Sequence, residues 1–238
     1  VISASASEIA KEIIDELYYF VDADHFIVDY KTSEFIKYVD NSWHALKITF
    51  ANEIGRISSK YDLDTKKLYE IFINDTVLNI SKAYLRPGGP FGGSCLKKDV
   101  DGLISLSKEF DLNVPVISNI NLSNLRHSEF IENEILDEFK PGANILIDGV
   151  SFKEDTSDTR ETPSINIANN LKKKGYKVYL CDENITSIID SDGSKWEVHD
   201  YDEVERIIDN VDIILKFSNK KDWKDKKIFD LNNFLQIK

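Results

Sequence analysis

The sequence predicts an α/β protein: an all-helical central region built on one long spine helix, followed by a domain with a parallel sheet. Three observations carry this reading. Residues Thr32 to Tyr61 keep a helical apolar period without a break. The stretch "RPGGPFGGSCLKKDV", Arg86 to Val100, gathers four of the chain's ten glycines and then turns helical. Beyond Lys140 the period changes to apolar run, helix, apolar run, which is the pattern of a βαβ unit with parallel strands.

Each element follows from its own residues. "VISASASEIAKEIIDELYYF" reads as a short strand, a Ser-rich turn and a helix from about Ser7 with Ile9, Ile13, Ile14 and Leu17 on one face, like the tail of a preceding α/β unit. The spine helix carries Phe35, Ile36, Val39, Trp43, Leu46, Phe50, Ile54 and Ile57 in its apolar stripe. At 1.5 Å per residue it runs roughly 40 Å, a length that suits a spine or a dimer interface. Asp64 caps a helix to Ile73; after the glycine loop, Leu96, Val100, Leu103, Ile104 and Leu106 share one side of another. Ile145 to Val150 is a strand and Pro163 to Lys174 a helix stopped by Gly175. Lys177 to Cys181 is a second strand, and "VDIILKF" and "KKIFDL" supply later ones, with Asp202 to Asp209 helical between the second run and these.

Composition limits the function. A chain of 238 residues with 42% hydrophobic content buries a sizeable core and suits two domains. A net charge of −12 repels polyanions, so neither nucleic acid nor an anionic membrane is the expected partner. A small phosphorylated ligand needs only a local set of donors. Two cysteines without paired spacing suggest neither a disulfide framework nor a metal site. With no signal peptide and no apolar run near membrane-spanning length, the expected location is soluble and cytoplasmic. The chain has no methionine, so it is expected to be a piece of a longer protein.

Chemistry concentrates at two places. Four glycines let a ligand approach the main chain, and Cys95 then opens a helix whose free N–H groups, with Lys97 and Lys98, favour a thiolate. Asp99 follows one turn later on the same face, suited to act as a base or to orient water. On the spine helix Lys37, Asn41 and His44 form one polar row, continued at Asn52, and a lysine with an amide can stabilise an oxyanion. From these residues alone, a small buried cysteine beside a capping loop and a solvated helix face remain open.

"KYVDNSWHALKITFANEIG" and "RPGGPFGGSCLKKDV" closely resemble the central segment of the nucleotide-sugar 6-dehydrogenase family (the UDP-glucose/GDP-mannose dehydrogenases), most of all its GDP-mannose branch. "GVSFKEDTSDTRETP" is similar to a signature of that family's C-terminal nucleotide-binding domain. The resemblance implies a Rossmann-like C-terminal domain and the oxidation of a sugar C6 alcohol to a carboxylate with two NAD⁺, through a cysteine thioester. It implies Cys95 as nucleophile, Asp99 as proton or water handler, and Lys37 and Asn41 as oxyanion stabilisers. His44, Asn52, Asn79, Tyr84, Arg86, Gly92 and Lys153 would hold the nucleotide sugar, and Cys95, Lys98 and Arg160 would meet NAD⁺. GDP-mannose is the expected substrate and UDP-glucose the alternative, with a homodimer through the spine helix.

The chain departs from the family in places. Lys97 stands where proline is usual, Ala83 where the GDP-mannose enzymes carry tyrosine, and Gly89 where they often have phenylalanine. No G-x-G-x-x-G loop occurs, so the N-terminal NAD-binding domain is expected to be missing except for its last strand and helix. The expected layout is a remnant over 1–29, a helical catalytic and dimerising domain over 30–139, and a nucleotide-sugar-binding α/β domain over 140–238. The competing reading from another class is a non-catalytic nucleotide-sugar-binding or dimerising module. Cys181, closing an apolar strand, reads as structural, and His25, His127 and His199 form no ligand spacing.

Overall fold

A computed structural model describes residues 2–4, 7–60, 63–77, 84–151, 156–190, 193–223, 226–232 and 236–237. It opens with β1 (Ile2–Ala4), α1 (Glu8–Tyr18) and β2 (Phe26–Val28), whose two strands pair in parallel from Ile2↔Phe26 to Ala4↔Val28. The segment is thus a small βαβ unit rather than a strand and helix alone. Three-residue β2 directly abuts the long helix, so its apolar residues read from sequence as part of the helical approach. The apolar face of α1 is open to solvent at Ile9, Ile13 and Leu17.

The spine is α2 (Tyr30–Lys60), about 46 Å long at 1.5 Å per residue. Packed on it are α3 (Thr65–Phe72), α4 (Leu96–Glu109) and α6 (Ile120–Glu138), with the single turn α5 (Pro115–Ser118) against α4 and α6. Asp64 caps α3, its carboxylate accepting from the Lys67 amide at 2.9 Å. Pro115 starts α5 where a missing N–H costs nothing.

The second half is a seven-stranded sheet in the order β5-β6-β4-β3-β7-β8-β9, formed by β3 (Asn144–Asp148), β4 (Lys177–Cys181), β5 (Ser187–Ile189), β6 (Lys195–His199), β7 (Ile213–Lys216), β8 (Ile228–Asp230) and β9 (Gln236–Ile237). β6, β4, β3, β7 and β8 run parallel, and β5 and β9 close the two edges antiparallel. β3 and β4 are joined by α7 (Pro163–Lys173), which ends at Gly175 with φ +90°, and α8 (Tyr201–Glu205) precedes β7. The chain reverses direction across the sheet between β3 and β7, so the loops after these strands flank the crevice where such sheets place ligands.

α6 is shared between the two halves. Ile131 and Ile135 are fully buried with Ile145, Ile147 and Leu171 of the sheet layer, while Ile120 packs with Ala45, Phe91 and Val100 among the helices. Glu132 accepts from Asn170 and Lys174 of the α7 end at 2.7 and 2.8 Å. Sequence periodicity marks no helix here, because the buried stripe of α6 runs through a histidine and a glutamate and shows no clean apolar period.

Candidate active site

The glycine loop sits where the helical half meets the strand ends. Asn52, buried on α2, accepts from the Gly88 amide at 2.9 Å and donates to the Gly89 carbonyl at 3.4 Å. Asn124 of α6 binds both the amide and the carbonyl of Phe91 at 2.9 Å. The Gly89 amide donates to the Leu231 carbonyl at 2.6 Å, beyond β8. A Cβ on Gly88 would lie 2.6 Å from that same carbonyl, and one on Gly92 2.8 Å from the Glu161 carbonyl. Glycine is therefore required at both places by close backbone approach. Beside Gly89, the Phe217 ring at the end of β7 lies 3.1 Å from where a side chain would begin.

The loop delivers Cys95 to the start of α4. Cys95 is exposed, and its carbonyl accepts from the Asp99 amide at 2.9 Å, so the two residues stand one turn apart. Asp99 is fully buried. Its Oδ2 accepts from Asn41 Nδ2 at 2.6 Å and lies 3.4 Å from Lys37 Nζ, while its buried Oδ1 has no hydrogen-bond partner among the described residues. Lys37 and Asn41 occupy successive turns of α2, so one helix face brings an amine and an amide to one carboxylate.

Further along α2 the polar row spreads out. His44 does not reach Asp99; its ring packs against Tyr84 at 5.0 Å between centroids. Tyr84 is half-exposed with φ +63°, a left-handed conformation that costs a non-glycine residue roughly 1–2 kcal/mol. Lys47 Nζ lies 5.6 Å from the Tyr84 ring and 5.7 Å from Trp43. Arg86 and Lys98 are exposed. Asn52 stands roughly 22 Å along the helix from Lys37, with its amide spent on the glycine loop. Asn79, Ala83 and Lys153 lie outside the described residues.

Across the cleft, Arg160 holds Asp158 through two bonds of 2.9 and 2.6 Å. The Asp158 carboxyl is lowered to about 2 by these bonds, and Arg160 is held more firmly charged, first by Asp158 and last by the nearby Cys95. Ser94 and the segment Thr159 to Thr162 wall a cleft of about 480 Å³ beside Cys95. Among the described residues no group of three His, Cys, Asp or Glu side chains suited to a metal ion occurs, and no helix is long and apolar enough to cross a membrane.

Comparison with known proteins places this geometry. Residues 31–126 match the UDP-glucose/GDP-mannose dehydrogenase family, central domain, and residues 146–237 match its UDP binding domain. This chain belongs to the UDP-glucose/GDP-mannose dehydrogenase family. It is 32% identical to the GDP-mannose 6-dehydrogenase of Pseudomonas putida over 94% of this chain and 55% of that protein. It is 36% identical to the UDP-glucose 6-dehydrogenase of Rickettsia bellii over 67% of this chain and 37% of that protein. The solved UDP-glucose dehydrogenase from Pyrobaculum islandicum shares the fold, with a TM-score of 0.81 at 23% identity over 96% of this chain and 54% of that one. The chain thus spans roughly half or less of these relatives.

Three side chains that the spacing does not single out order the loops here: Asn124 and His127, which hold the glycine loop, and Asp182, whose Oδ2 accepts from the Val150 and Ser151 amides after β3 at 2.9 and 3.1 Å. The signal for the first two is their position. Ile120, Asn124, His127, Ile131 and Ile135 share one helix face, so two polar residues sit in a core stripe.

Proposed function

We propose that this chain is the catalytic and nucleotide-sugar-binding part of an NAD-dependent GDP-mannose 6-dehydrogenase, which oxidises the C6 alcohol of its sugar to a carboxylate. The observation that carries this reading is the convergence of Lys37 and Asn41 on Asp99, one turn from exposed Cys95. Cys95 Sγ adds to the C6 aldehyde to form a thiohemiacetal, loss of a hydride leaves a thioester, and water cleaves it to acid and thiol. In sum C6 gives up two hydrides, gains one oxygen from water, and releases three protons. Lys37 and Asn41 donate to the oxyanion at C6. Asp99 Oδ1, buried and unpartnered, accepts from the attacking water, and the Asp99 carboxylate takes its proton.

NAD⁺ supplies hydride acceptance when bound. Lys98 and Arg160, beside Cys95, suit its phosphates, while the sequence carries no G-x-G-x-x-G motif to cradle its diphosphate. His44, Tyr84, Arg86 and Gly92 form the sugar-nucleotide wall with Asn79 and Lys153, and Asn52 acts by shaping the loop. We place the remnant over 1–29, the catalytic domain over 30–139 and the nucleotide domain over 140–238. The same reading makes the protein a cytoplasmic homodimer through α2.

Calorimetry with GDP-mannose and UDP-glucose, beside an NADH absorbance assay, tests this. The 238-residue chain binds GDP-mannose in preference to UDP-glucose and reduces no NAD⁺. Preference for UDP-glucose would transfer the substrate to the reading supported by the Rickettsia relative and the UDP binding domain match. Binding of neither would overturn both.

A further inference from the structure

His127 lies fully buried on α6, one turn from Asn124, at the back of the glycine loop. Its two nitrogens face partners of opposite kind. Arg56 of α2 places Nη1 3.0 Å from Nδ1, and the Gly88 carbonyl lies 2.6 Å from Nε2. A guanidinium can only donate and a carbonyl can only accept. The ring must therefore be neutral, with its proton on Nε2 and its Nδ1 lone pair toward Arg56.

We propose that His127, fixed by Arg56 as the neutral Nε2–H tautomer, is a positioning residue that sets the glycine loop for nucleotide-sugar binding, and that protonation at Nδ1 sets the ring against Arg56 and so shifts the loop it holds through Nε2. The inference rests on the functional reading above only for the identity of the ligand. Protonation would put an N–H against the Arg56 guanidinium and remove the acceptor it needs, so the charged ring cannot keep both contacts. Gly88 is the point of greatest leverage. Its carbonyl is held by His127, its amide by Asn52, and its Cα faces the Leu231 carbonyl of the strand half. The same helix buries Ile131 and Ile135 in the sheet core, so His127 ties the loop to a helix anchored in that core.

The charged surroundings are few. Arg56 is the charged group of α2 that faces the ring, with Glu53 4.0 Å behind it. On α6, Arg126 pairs with Glu129 toward solvent, and Glu132 pairs with Lys174. The glycine loop presents only the Gly88 carbonyl, and the Phe130 ring stacks alongside. Burial first, and then Arg56, lowers the imidazole to about 4, against the raising effect of the Gly88 bond.

The test uses the 238-residue chain with GDP-mannose and UDP-glucose as probes. Nitrogen-15 spectra of the imidazole near neutral pH are expected to show the neutral Nε2–H tautomer. His127→Phe, which keeps the ring but no donor, is expected to raise amide exchange over Gly88 to Gly93 and weaken binding, each by about tenfold for one lost hydrogen bond. His127→Gln, which retains a donor toward Gly88, is expected to restore most of both and to make affinity independent of pH. Arg56→Met, which removes a lowering influence, is expected to move the acid loss of affinity to higher pH. A purely structural histidine would lower melting temperature in these variants without moving that inflection.

Unchanged loop exchange in His127→Phe, an Nδ1–H tautomer, or an unmoved inflection in Arg56→Met would each overturn the proposal. Should His127→Phe not fold, the tautomer and Arg56→Met decide. If the chain binds neither nucleotide sugar, the pH readout passes to loop exchange. Tautomer and exchange as expected would then support His127 while the functional reading falls.

Discussion

At the scale of single residues, the site depends on a carboxylate that is buried but engaged from one side only. Asp99 binds Asn41 and Lys37 through Oδ2 and leaves Oδ1 for a ligand or water. On the proposed mechanism, Cys95→Ala in the full-length protein is expected to abolish acid formation, because no thioester can form; full turnover in that variant, measured as uronate released, would remove covalent catalysis. Lys37→Ala is expected to slow both oxidation steps by about 10²–10³, the usual cost of one oxyanion donor. Single-turnover measurement of each hydride transfer separates the steps. Cys95, Asp99 and the Lys37–Asn41 pair were legible from spacing, since i and i+4 residues share a helix face whatever surrounds them. His44 shared that spacing, yet its ring goes to Tyr84, because the partner across the helix face is set by a loop some forty positions away.

At the scale of elements, α2 performs two tasks on two faces. One face carries Lys37 and Asn41 to Asp99 and Asn52 to the glycine loop, and another leaves Phe35, Val39, Trp43 and Phe50 between 42 and 50% exposed. Isolated exposed apolar residues are ordinary, but a continuous stripe along one helix suits an interface. We expect Val39→Glu with Trp43→Glu to shift the protein from dimer to monomer by light scattering, with the helical signal kept. Wild type that is already monomeric at micromolar concentration would count against it. α3 offers a simpler test: Asp64→Ala removes the bond to the Lys67 amide and is expected to cost about 1 kcal/mol in chemical denaturation. The elements with clean periods, α2, α3, α7, β3 and β4, lie within a residue or two of where their sequences place them. β2, β5, β6, β9, α5 and α6 have no clear sequence signal, the strands and α5 being short and α6 mixing polar residues into its core stripe.

At the scale of the whole molecule, two buried groups pull acid stability in opposite directions. His127 is lowered from 6.5 to about 4, so its contribution is full above pH 6.5 and is lost as pH falls through about 4. Asp148 is raised from 3.8 to about 6, chiefly by burial and against the bonds from Trp223 and Tyr201, so its contribution is full below pH 3.8 and is lost as pH rises through about 6. Over this window the two nearly offset. Asp148→Asn, whose amide can still accept from Trp223, is expected to steepen the loss of stability on acidification by roughly 2–3 kcal/mol. His127→Gln is expected to reverse it, so that stability rises on acidification by a similar amount. Urea denaturation at both ends of the window reads both, and parallel profiles for wild type and Asp148→Asn would show that Asp148 is ionised throughout.

The sequence by itself determined the local features: the long amphipathic spine, the glycine loop opening onto Cys95, the strand–helix–strand period, and the one-turn pairing of Cys95 with Asp99. Each depends on periods and propensities that act over a few residues. Only the tertiary structure decided which distant groups meet. It brought Asp99 to Lys37 and Asn41, spent Asn52 on the loop, filled the space beside Gly89 with the Phe217 ring, and turned His127 from a residue without ligand spacing into the clamp on Gly88. The reason is that such contacts are set by packing α6 against both halves at once. A buried polar group is then obliged to find its partner wherever the fold provides one, a condition no local period encodes.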